Sequence, residues 1–84
     1  MNYQIIIKPS AQKDLDKLPN KELVKIASKL KLLEQNPRPI GIQKLSNEDG
    51  YRIRSGSYRF LFLIDDQNNK IFIYRIKHRK DVYK

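Results

Sequence analysis

Five of the six arginines in this 84-residue chain fall between Tyr51 and Tyr83, in the segments YRIRSGSYRF and RIKHRKDVY, whereas the positive charge elsewhere is nearly all lysine. A guanidinium holds its donors in a rigid planar fork that matches two oxygens of a phosphate; a lysine ammonium is a mobile point charge on a flexible stem. An arginine cluster among aromatic and β-branched residues therefore suggests an anion-recognising site on strands. Arg52, Arg54 and Arg59 are its first candidates. Towards the end of the chain, Arg75, Lys77, His78, Arg79, Lys80 and Tyr83 add the only histidine, a side chain able to exchange protons near neutral pH, and a ring able to stack on a nucleobase. Each has a plainer reading: basic strand faces often point into water, a lone histidine in a basic tail is commonly just solvated, and Tyr83 could pack on the core.

Where the arginines point depends on the elements that carry them. From Tyr51 onward apolar residues recur with a period of two, giving strands at 51–55, 58–65 and 70–76, the last two joined across Asp65-Asp66-Gln67-Asn68-Asn69. A two-residue type II′ turn at Gly56-Ser57 would pair Ser55 with Tyr58, Arg54 with Arg59 and Arg52 with Leu61. Side chains alternate along a strand, so Arg52, Arg54 and Arg59 then share one face, while Tyr51, Ile53, Phe60 and Phe62 share the other. Like charges paired across strands repel by up to ~1 kcal/mol. No acid lies between Tyr51 and Ile64 to relieve them, so an anion between them is the functional expectation.

Earlier in the chain, Tyr3, Ile5 and Ile7 alternate with Gln4, Ile6 and Lys8, which suits a strand closed by Pro9. Ser10 is the expected N-cap of a helix carrying Ala11, Leu15 and Leu18, which Pro19 ends. Asn20 is the expected cap of a longer helix with a stripe of Leu23, Ile26, Ala27, Leu30 and Leu33, opposed by lysines at 21, 25, 29 and 31 that read as a solvated face. Asn36-Pro37-Arg38-Pro39 stops it. Residues 37–50, with two prolines and two glycines, read as a connecting loop. The expected layout is α+β, in the order β-α-α-β-β-β, with an N-terminal helix hairpin on one face of a curved, antiparallel-rich sheet in a single domain, 1–84.

Composition narrows the chemistry. Eighteen basic against nine acidic residues give a net charge of +9, with nine basic and three acidic groups after residue 50, so a polyanion is the first partner to consider. Without cysteine there are neither disulfides nor thiolate metal sites, and one histidine with scattered carboxylates argues against structural zinc; no cofactor is expected. No apolar run approaches the ~18 residues of a membrane span, and the start MNYQIIIKPS lacks the features of a secretion signal, so the expected location is the cytoplasm, without membrane contact.

The early KPSAQKDLDKLP, the hairpin YRIRSGSYRFLFLID and the closing IYRIKHRKDVY together resemble the RelE/ParE superfamily of bacterial toxin–antitoxin toxins over essentially the whole chain, and its RelE branch in particular. The resemblance implies a RelE-like, microbial-ribonuclease-type fold and a ribosome-dependent endoribonuclease that cleaves translated mRNA, held inactive by a cognate antitoxin. It also implies roles: Arg52 and Arg54 bind the backbone and assist activation of the ribose 2′-hydroxyl, Arg59 steadies the scissile phosphate, Arg79 acts near the leaving group, and Tyr83 stacks on or orients a base. The hairpin carries arginines where some members have lysines. Arginine is a poor general base, which leaves His78 as the candidate for removing the 2′-hydroxyl proton. Arg75, Lys77 and Lys80 are expected to touch RNA. The reaction would need no metal, and the antitoxin is expected to present an acidic, amphipathic segment. ParE-like relatives share the fold but act on DNA gyrase, and that alternative stays open at this point.

Overall fold

The computed structural model describes residues 2–45 and 50–78. Strand β1 (Gln4–Ile7) runs parallel to the last strand, β5 (Lys70–His78), so that Ile5 faces Ile71 and Ile7 faces Ile73. Helices α1 (Pro9–Asp16) and α2 (Asn20–Gln35) follow. Strands β2 (Gln43–Lys44), β3 (Tyr51–Ser55) and β4 (Tyr58–Asp65) then build antiparallel neighbours, and the sheet order is β1-β5-β4-β3-β2. Two helices pack on an open, mixed sheet of five strands. Ala11, Ile26 and Leu33 of the helices meet Ile53, Phe60, Phe62, Ile71, Ile73 and Ile76 of the sheet in one buried cluster. Full burial of each large side chain there contributes roughly 1.5–3 kcal/mol.

Both helix starts differ from expectation. Lys8, not Ser10, is the N-cap of α1, and Pro19, not Asn20, is that of α2; neither makes a side-chain capping bond. Pro9 becomes the first helical residue, where its missing N–H is no loss because the first helical N–H groups have no intrahelical acceptor anyway. Ser10 is thereby released to donate its hydroxyl hydrogen to the Tyr74 carbonyl. The α2 stripe runs through Ile26, Leu30 and Leu33, but Ala27 is exposed and Lys29 half-buried, since these two positions flank the stripe on opposite sides. Within residues 37–50, expected as a loop, Gln43 and Lys44 form β2 and pair with Arg52 and Tyr51.

The hairpin register is the expected one: Arg52 opposite Leu61, Ile53 opposite Phe60, Arg54 opposite Arg59, Ser55 opposite Tyr58. Gly56 at φ 61° opens the turn, and Ser57 keeps a negative φ, as a type II′ turn requires. Between β4 and β5 the pairing slips. Leu61 faces Arg75 and Phe62 faces Ile73, which leaves Tyr74 as a bulge. Gly50 is buried where a Cβ would come within 2.8 Å of the Tyr74 hydroxyl, so the absence of a side chain lets that phenol in.

Beyond the end of β1, α1 takes over the edge of β5. Asp14 accepts the Ile76 N–H at 2.8 Å and both Nε (2.9 Å) and Nη2 (3.3 Å) of Arg75. Edge groups that would otherwise lack a ladder partner are thus satisfied by Ser10 and Asp14.

Candidate functional site

Alternation in β3 and β4 puts Arg52, Arg54 and Arg59 on the face opposite Ile53, Phe60 and Phe62. The three arginines line one concavity of about 380 Å³ together with Lys29, Gln43, Ile40 and Gly41. No acidic side chain lines it. Its arginines are not equivalent: Arg54 is exposed, Arg52 is half-buried and donates from Nε to Gln43 Oε1 at 2.7 Å, and Arg59 is only 3% exposed. A guanidinium so enclosed must have its donors satisfied, and among the described residues no buried side-chain nitrogen or oxygen lacks a hydrogen-bond partner.

Lys77 stands directly opposite Arg59 in the ladder, so Arg54, Arg59 and Lys77 form a row of cations across three adjacent strands. His78 does not join them. It pairs with Tyr58 one rung further along, on the face of Phe60 and Ile76, with its ring edge-on to Tyr58 at 5.2 Å and 87°. Arg75, counted with the RNA-contacting cations on sequence grounds, is held by Asp14 instead. Burial raises the Asp14 carboxyl, but the hydrogen bonds from Arg75 and the Ile76 N–H outweigh it and leave the group below its ordinary value. Arg79, Lys80 and Tyr83 lie outside the described residues.

Reading the sequence alone misses Gly41 and three side chains of the concavity. Lys29 is one of four lysines spaced along α2, and only its half-buried setting beside Ile26 and Leu33 separates it from the solvated ones. Gln43 is recruited by β2, a strand too short to show a period. Ile40 is fully exposed at the rim, in a loop whose sequence shows no period. The loop that carries it is anchored by a bidentate ion pair from Arg38 to Asp66 at 3.1 and 2.9 Å. Tyr3 donates its hydroxyl hydrogen to the same carboxylate at 2.6 Å. Arg38, and then Tyr3, hold the Asp66 carboxyl down to about 2.

Among the described residues no group of three or more His, Cys, Asp or Glu could hold a metal ion, and no helix is long and apolar enough to cross a membrane. On the outer face of the sheet an apolar concavity of about 490 Å³ is lined by Lys8, Leu63, Phe72 and Tyr74, with Leu63 40% exposed.

Residues 5–83 match the family described as ParE toxin of type II toxin–antitoxin system, parDE. Toxin RelG of Mycobacterium tuberculosis is 31% identical over 86 residues, covering 100% of this chain and 99% of its own. Among solved structures, the toxin–antitoxin complex RelBE2 of M. tuberculosis contains a chain superposing with a TM-score of 0.84 at 29% identity, over 94% of this chain and 100% of that one. The archaeal RelE–RelB complex of Pyrococcus horikoshii gives 0.83 at 28% identity, over 94% and 97%.

Proposed function

Because the chain belongs to the ParE-toxin family of type II toxin–antitoxin systems, within the wider RelE/ParE superfamily, we propose that it is an mRNA interferase, an endoribonuclease acting on translated messenger. The observation that carries this reading is the concavity of Arg52, Arg54, Arg59 and Lys29 without an acid, a setting that favours a phosphodiester over a protein surface of mixed charge. In the proposed reaction the 2′-oxygen attacks its own phosphorus and the bond to the 5′-oxygen breaks. A 2′,3′-cyclic phosphate and a 5′-hydroxyl result, one proton leaving the 2′-hydroxyl and one reaching the 5′-oxygen. Charge grows on the phosphoryl oxygens during that step, and fixed guanidinium donors stabilise it without reorganising; loss of one such donor costs about 10²–10³ in rate. No metal is needed for this chemistry.

Arg79 near the leaving group and Tyr83 on a base are part of the same proposal. His78 is the proposed proton carrier. Its ladder position is across the sheet from Arg59, so it serves only if the RNA bends round the hairpin end. His78→Ala should then lower cleavage by about 10²–10⁴; a loss under tenfold would leave His78 a contact residue. The proposed partners are the ribosome with its messenger and a cognate antitoxin. Support for the latter comes from the relatives solved as toxin–antitoxin complexes. An acidic, amphipathic antitoxin segment suits both the cationic face and the apolar concavity at Leu63 and Phe72.

The test is primer extension on a defined messenger in a reconstituted translation system, with and without ribosomes, comparing wild type with Arg54→Ala. Cleavage that needs ribosomes and is lost in the variant supports the reading. The matched family is named for ParE, which favours a second reading, inhibition of DNA gyrase by protein binding. Growth arrest with an intact messenger would select it.

A further inference from the structure

The cationic row does not stop at the first concavity. Arg54 and Arg59 line that concavity, but Lys77, the third member, lines a separate groove of about 330 Å³ where the end of α1 meets the edge of β5. Adjacent strands lie about 4.8 Å apart, so the row crosses roughly 10 Å of sheet from one recess to the other. Arg59 is enclosed with its donors satisfied, so a polyanion following the row would meet it at its two ends, Arg54 and Lys77.

The second groove is built for more than charge. Lys17 and Leu18, just beyond the end of α1, form one wall, and Tyr58 with His78 the other. Both residues are partly buried, Tyr58 resting against the core cluster, and their rings meet edge to face as the aromatic wall against which a base would pack. Asp14, the one acid among the lining residues, is already engaged by the Arg75 guanidinium and the Ile76 N–H, so its charge is offset where it stands. Lysine beside aromatic surface is the combination that holds a single-stranded nucleotide, the cation on the phosphate and the ring on the base.

We propose that this groove is a second RNA subsite, in which Lys17 holds the phosphate and Tyr58 the base of a nucleotide adjacent to the one cut, the strand reaching it past Arg54 and Lys77. The inference rests on the RNA reading above and adds a site on the other side of the sheet end. It makes Tyr58 and Lys17 determinants of preference for the nucleotide flanking the cut.

The experiment uses ribosomes programmed with a messenger whose scissile ribose is 2′-O-methylated, so that it cannot be cut, and which carries 4-thiouridine one or two positions to either side. After irradiation with bound toxin, crosslinked peptides are mapped by mass spectrometry. The expected result is a crosslink to Tyr58 or its strand neighbours from one side of the cut, reduced at least fivefold in Lys17→Glu and restored in Lys17→Arg. Unmodified messenger should still be cut by Lys17→Glu at the same place, more slowly. Crosslinks confined to the arginine concavity, or a yield indifferent to Lys17→Glu, would overturn the subsite while leaving RNA cleavage standing. Protection of His78 from diethylpyrocarbonate by the antitoxin but not by RNA would overturn it in favour of a protein contact. Absence of both crosslink and cleavage in wild type would remove the RNA reading itself, and the subsite with it.

Discussion

At the turn joining β4 to β5, charges are matched: Arg38 grips Asp66 through both oxygens, Tyr3 adds a third hydrogen bond, and the Asp65 carboxylate accepts from the Asn68 backbone and side chain. At the opposite end of the same strands, Arg54, Arg59 and Lys77 stand side by side with no acid in the row. Among the described residues the one aspartate beside the row's far end, Asp14, is engaged by Arg75 and the Ile76 N–H. Charge used for architecture is neutralised within the fold, whereas the exposed Arg54 carries its charge to the surface, where a ligand can meet it. Arg75, paired with Asp14, belongs to the first kind although its sequence neighbours suggest the second.

The comparison can be broken at the cationic end with the largest effects. Arg54→Ala should lower cleavage by about 10²–10³ while leaving thermal stability within the ~0.5 kcal/mol typical of surface changes. Measured cleavage near wild type would place Arg54 with the solvated lysines. Arg59→Ala should lose cleavage to a similar extent and lower Tm as well, because the side chain is buried. A stable but inactive Arg59→Ala would show that its enclosure is not structural. Lys29→Ala, from the rim contributed by α2, should weaken cleavage by roughly tenfold, in line with one lost charge-assisted contact of about 1.5 kcal/mol; cleavage kinetics at low and high salt would separate it from the other α2 lysines.

At the paired end the expected effects are on stability and pH alone. The folded Asp66 carboxyl sits at about 2, below its unfolded value near 4, so its contribution is complete above the unfolded value and disappears as pH falls through that interval. Asp66→Asn should therefore flatten the acid side of a Tm-against-pH curve between about pH 4 and 2 and leave cleavage at neutral pH unchanged. A drop in cleavage would mean that the Arg38 anchor also shapes the recess through the loop bearing Ile40.

How much of this was legible beforehand follows the range of the interactions. The hairpin register and the shared face of the three arginines depend on residues within a dozen positions of one another and on one glycine turn, and they are read directly from Tyr51 to Asp65. The parts that depend on distant packing were hidden: Lys29 beside the arginines, the edge groups of β5 satisfied by Ser10 and Asp14, the enclosure of Arg59. Capping was misjudged because the chain leaves β1 already extended, so proline could begin the helix and Ser10 was needed elsewhere. His78 fell on the other face because a bulge intervenes, and its trace in the sequence is the spacing of Ile71, Ile73 and Ile76, two residues and then three.

That bulge makes β5 a message with a frame. One unpaired residue, Tyr74, shifts everything after it by half a period, so that Ile76 keeps to the core and Lys77 comes to stand beside Arg59. Deleting Tyr74 would turn the bulge into regular alternation, with Arg75, Ile76 and Lys77 keeping their partners Leu61, Phe60 and Arg59. Insertions and deletions among descendants of this sequence should accordingly collect in the 36–42 loop and the 65–69 turn, and within β5 a single residue can be lost only at the bulge without turning the later side chains over.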